Sequence, residues 1–93
     1  MVLKQLNAMD QISIHTQNSE YQFQVINPAQ CRGFLTGGLC GEEPCEAVLV
    51  GSVYPGPQRG QISENLETGT CAVFSIALKE SVQYLITSVI TQV

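Results

Sequence analysis

From Ile12 to Val25 the chain alternates apolar and polar residues. Ile12 and Ile14 take turns with Ser13 and His15, and Tyr21, Phe23 and Val25 with Gln22 and Gln24. Only the polar break Gln17-Asn18-Ser19 interrupts the pattern. Successive side chains of a strand point to opposite faces, so period two is what a half-buried strand requires and what a helix cannot use. Two such runs around a short Asn/Ser connection predict a β-hairpin with one buried face. An isolated hairpin is marginal in water, so the chain must supply more strands to cover it.

Asn27-Pro28 punctuates the chain after the hairpin. Cys31 to Thr36 reads as a third strand, ended by Gly37-Gly38, and a turn-rich connection follows over 39–44. Cys45 to Val53 reads as a fourth strand with the apolar run Ala47-Val48-Leu49-Val50. Tyr54-Pro55-Gly56-Pro57 stops regular structure and opens a polar loop over 54–69, longer than most loops in compact domains. Thr70 to Leu78 reads as a fifth strand with two apolar faces, Cys71, Val73 and Ala77 against Ala72, Phe74, Ile76 and Leu78. A strand with one wet face alternates, so this one is expected to be covered by the barrel on one side and by another subunit on the other.

The segment from Ser81 to Val93 carries two signals. Val82, Leu85, Ile86, Val89, Ile90 and Val93 have helical spacing, with Ser81 placed to cap. Seven of its thirteen residues are Val, Ile or Thr, which favour strand, and strand is the preferred reading. At the other end, Leu3, Leu6 and Met9 recur every third residue over 1–10, as one helical turn or an extended arm. The expectation is a single all-β domain over 1–93, a small antiparallel barrel or sandwich of five to six strands.

Charge narrows the partners. Charged residues make up 13% of the chain, about half the usual ~25%. The four basic residues, Lys4, Arg32, Arg59 and Lys79, are scattered and supply no patch for nucleic acid or an anionic membrane. No apolar run approaches the ~20 residues of a membrane span, and residues 1–11 lack the core of a secretory signal. The expected location is the cytoplasm, with the cysteines reduced. A surface this poor in charge points to burial against further copies of the chain, with another protein as the second candidate partner.

Candidate chemistry is sparse. Cys31, Cys40, Cys45 and Cys71 form one pair near zinc-ligand spacing and no second pair, so ordinary, mostly buried thiols are expected. One disulfide involving Cys40 and a metal site are the alternatives. His15, the only histidine, lies on the polar face of its strand, away from any nucleophile. Glu42, Glu43 and Glu46 read as a solvated turn, and Gly33, Gly37, Gly38 and Gly41 as turn glycines, since no Lys-Ser/Thr follows them. Neither a catalytic residue nor a cofactor is expected. The candidate interaction loop is Tyr54, Pro55, Pro57 and Arg59, which joins an aromatic and a cation to two stiffening prolines.

Thr16-x-Asn18-Ser19-x-Tyr21, Gly33-x-Leu35-x-Gly37-Gly38, Leu49-x-Gly51-Ser52, Thr70-x-Ala72-x-Phe74 and Thr87-Ser88 together resemble a group of short uncharacterised bacterial β-domain proteins. The resemblance implies a small β-barrel-like domain in a bacterial cell and brings no functional residues. The expected function is a non-enzymatic, self-associating interaction or structural module. The alternatives are a small-molecule or ion-binding barrel and a cysteine-based redox or metal-binding protein.

Overall fold

The alternating residues form β1 (Gln11–Thr16) and β2 (Glu20–Asn27), with Ile12 opposite Phe23 and Ile14 opposite Tyr21. The structure is a computed structural model that describes residues 1–56, 61–78 and 80–93. The hairpin turn closes on Thr16, whose backbone N–H and hydroxyl both donate to the Ser19 carbonyl at 2.9 and 2.8 Å. Four more strands follow: β3 (Arg32–Gly37), β4 (Cys45–Val53), β5 (Cys71–Ala77) and β6 (Val82–Gln92). Each pairs antiparallel with the next, and β6 pairs back onto β1 to close a six-stranded barrel. The β-branched C-terminal segment is thus a strand, because packing on the barrel matches its residue preference.

Closure of so few strands needs sharp bending. The ladders shift register at four places, next to Ile26, Val50, Thr91 and the Thr87-Ser88 pair. An extra residue on one strand coils and bends it, which is how small barrels turn their corners. At the β5–β6 shift the ladder is repaired by a side chain: the Ala72 N–H donates to the Thr87 hydroxyl at 3.0 Å.

The inward residues fill the barrel. Phe74 lies between Tyr21 and Phe23, with ring centroids 6.4 and 5.6 Å away, and Ile14, Leu35, Leu49 and Ile90 surround them. Such rings prefer the tilted arrangements seen here.

The 54–69 connection differs from the expected loop. Ser63 pairs with Ser52 through two backbone hydrogen bonds of 2.8 and 2.9 Å, extending the sheet beyond the point where β3 leaves β4. Asn65 bridges to Val2, and the Leu66 N–H donates to the Met1 carbonyl at 2.8 Å. The N-terminal arm, which makes one 3-10 turn at Leu3–Gln5, and the 61–66 strap therefore hold each other. Together they insert Leu3 and Leu66 into the core.

The two-sided burial of β5 also differs from expectation. Cys71 and Val73 are covered on the outside by the chain itself, through Val53, Val50 and Val89. Only the far half of the strand, from Ser75 onward, lacks that cover. Among the described residues no helix is long and apolar enough to cross a membrane.

Candidate functional site

Strand pairing gives the barrel two different outer walls. Across β1–β3 the outward residues include Gln11, Ser13, Gln22, Gln24 and Thr36 with two apolar members, Ile26 and Phe34. Polar side chains there bond to one another, as Ser13 does to Gln22 at 2.8 Å. Across β5–β6 the outward residues are Ala77, Val82, Tyr84 and Ile86, with Leu78 exposed at the edge. Val82 is 65% exposed and Tyr84 73%, both far above what such side chains show in a fully covered position.

Next to Tyr84 the wall dips. One register row runs Arg32, Val48, Ser75, Tyr84 across β3–β6. Beside it Arg32, Glu46, Val48, Ala77 and Val82 line a shallow depression of about 100 Å³. The Arg32 guanidinium donates to the Glu46 carboxylate at 3.3 Å on its rim, so both signs of charge border an apolar floor.

The candidate interaction loop starts at the surface. Tyr54 is exposed, Pro55 is exposed beside it, and Pro57 and Arg59 lie outside the described residues. The cleft under Tyr54, walled by Ser52, Ser63, Asn65 and Thr70, measures about 30 Å³, room for roughly one water. A hollow of about 480 Å³ between Leu6 and Val93 lies outside the barrel and is broad and open.

His15 and the glutamates stay on the surface. His15 Nε2 lies 3.8 Å from Glu20, both half exposed, with no nucleophile bonded to it. Glu42 and Glu43 are exposed, and Glu46 is taken by Arg32. Among the described residues no three His, Cys, Asp or Glu side chains gather closely enough to hold a metal.

The cysteines are less buried than their apolar neighbours in the sequence imply. All four are free thiols, and only Cys71 is buried. Cys31 precedes β3 in a turn with φ of 53°, half-buried, where burial pushes its thiol pKa up. Cys40 and Cys45 meet at one end of the barrel, which their spacing alone did not reveal. Comparison with family models, with curated proteins and with solved structures finds no match for this chain.

Proposed function

We propose that this chain is a non-enzymatic β-barrel module that self-associates through the outer wall of β4–β6. The observation that carries the reading is the uncovered apolar row of Val82, Tyr84 and Ile86 on a barrel whose other wall is mostly polar. With Leu78 these leave on the order of 400 Å² uncovered, half of the ~800 Å² that each partner contributes to a standard interface. Arg32 and Glu46 border the row as a polar rim, the usual anatomy of such contacts.

A second copy is the occupant that this wall fits. Tyr84 projects beside the depression that Val48, Ala77 and Val82 floor. A two-fold axis between copies would seat each Tyr84 in the other's depression and set each Arg32 near the partner's Glu46, as an isologous interface demands. Tyrosine is among the residues that anchor interfaces.

Light scattering on a size-exclusion column at 1–100 μM tests the proposal. The expected result is a mass above the 10.1 kDa of one chain, and Tyr84→Glu returns it to monomer. Loss of such an anchor costs about 2 kcal/mol or more, roughly thirtyfold in the dissociation constant. Wild-type protein that stays monomeric throughout, or a Tyr84→Glu variant that assembles unchanged, overturns the reading.

A further inference from the structure

We propose that Cys40 and Cys45 are a dithiol that closes reversibly to an intramolecular disulfide at the mouth of the barrel. This rests on the β3–β4 connection, and the cleft it forms borders the proposed self-association wall through Leu78 and Tyr84.

Three glycines with positive φ, Gly37 at 93°, Gly38 at 50° and Gly41 at 61°, turn the chain back on itself after β3. The turn is held by the Gly37 N–H donating to the Gly41 carbonyl at 2.7 Å and the Gly41 N–H to the Gly38 carbonyl at 3.2 Å. Cys40 ends the 3-10 turn Gly38–Cys40 and is thereby laid over the start of β4. Cys45 pairs with Leu35, whose side chain is in the core, so Cys45 faces inward at the barrel end. The two thiols line one cleft of about 210 Å³ with Ile76, Leu78 and Leu85, and both remain half-exposed. Both also pack against the buried core cluster. Cys31, at the opposite end of β3, is not part of this cleft, and Cys71 is buried.

Chemistry assigns the two sulfurs different steps. Burial, then the hydrogen bond and charge of the neighbouring Cys45, push the Cys40 thiol up to about 12. Cys40 therefore stays protonated near neutral pH and takes the second, resolving step, reached once Cys45 is held in a mixed disulfide and its charge and thiol hydrogen bond no longer oppose loss of the Cys40 proton. With a low-molecular-weight disulfide RSSR as oxidant, Cys45 as thiolate attacks one sulfur, forms Cys45–S–S–R and expels RS⁻, which takes up a proton. Cys40 then attacks the Cys45 sulfur, and the second RS⁻ leaves and takes up the proton that Cys40 gives up. One RSSR is reduced to two RSH, and two protein thiols are oxidised to one disulfide.

The test uses the whole protein and oxidised glutathione, read by intact mass and thiol titration. Wild type is expected to lose two hydrogen masses and fall from four titratable thiols to two. Cleavage after Arg32 and Arg59 places Cys40 and Cys45 in one peptide, which locates the bridge. Reduced glutathione in excess restores four thiols. Cys40→Ser is expected to stop as a glutathione adduct on Cys45. Persistent adducts on wild-type Cys40 or Cys45, a disulfide between copies, or no reaction at either residue overturns the proposal.

Discussion

Gly51→Ala tests whether the strap at 61–66 is part of the folded core. Gly51 has φ of 151°, and a Cβ there would lie 2.1 Å from the Ser63 carbonyl oxygen and 2.8 Å from Ile62 Cγ2. Ser63 cannot yield cheaply, because two backbone hydrogen bonds fix it to Ser52, and the Ser52 hydroxyl also donates to the Asn65 carbonyl at 2.6 Å. Displacing the strap gives up three hydrogen bonds of about 1 kcal/mol each, before any loss of Leu66 packing. A destabilisation of about 3–4 kcal/mol is expected, a fall in Tm of roughly 12–30 °C for a domain this size. Gly69→Ala is the control. Gly69 has φ of 87° but open space where its Cβ would stand, so it carries backbone strain of about 1 kcal/mol and no clash. Urea unfolding of both variants gives the difference, and hydrogen exchange at the Ser52 and Ser63 amides shows where it arises. Equal losses in the two variants, or unchanged protection at Ser63, refute the reasoning.

Two further outcomes follow from the same packing and from the thiol cluster. Leu66→Ala should cost about 2–5 kcal/mol in urea unfolding, the range for a fully buried leucine, although its neighbours in sequence are polar. Alkaline pH should destabilise the reduced protein. The folded-state pKa of Cys40 is raised from 9.0 to about 12, so the folded form holds a proton that the unfolded form releases. This contribution is intact below pH 9 and is lost as pH climbs towards 12. Cys40→Ser should flatten the fall of Tm over that window, and an unchanged slope counts against the assignment.

Much of the fold could be read from residue patterning, because strand alternation is a local signal. The Ile12–Val25 hairpin and the bounds of β4 at Cys45 and Val53 follow from it directly. For β6 the residue types decided correctly against the helical spacing. Once the strand is known, Val82, Tyr84 and Ile86 fall on the outer face and Leu85 on the other. The strap was not legible, since Val2 is far in sequence from its partner Asn65 and the Pro-Gly break after Tyr54 hides the pairing of Ser52 with Ser63. Its only local mark is Ile62 and Leu66 standing apolar in a polar stretch. The outer cover of Cys71 and Val73 depends on strand crossings and bulges, which no pattern of types encodes. As for the thiol pair, four residues of separation permit the contact but do not require it. The glycine-driven turn at 37–41 makes it.

The order of the strands around the barrel has a kinetic consequence. Every strand pairing is between sequence neighbours except the seam of β1 with β6. Four ladders can therefore form with short loop closures and the β4–β5 ladder with a moderate one, while the seam must bring Thr16 to Ile90 across most of the chain. Until that step, β1 and β6 present bare edges whose donors and acceptors match those of any other open copy. A chain that lingers there can satisfy its β6 edge with the β1 of a neighbour, so the rate of closing one seam governs how often the barrel is built from one molecule or from two.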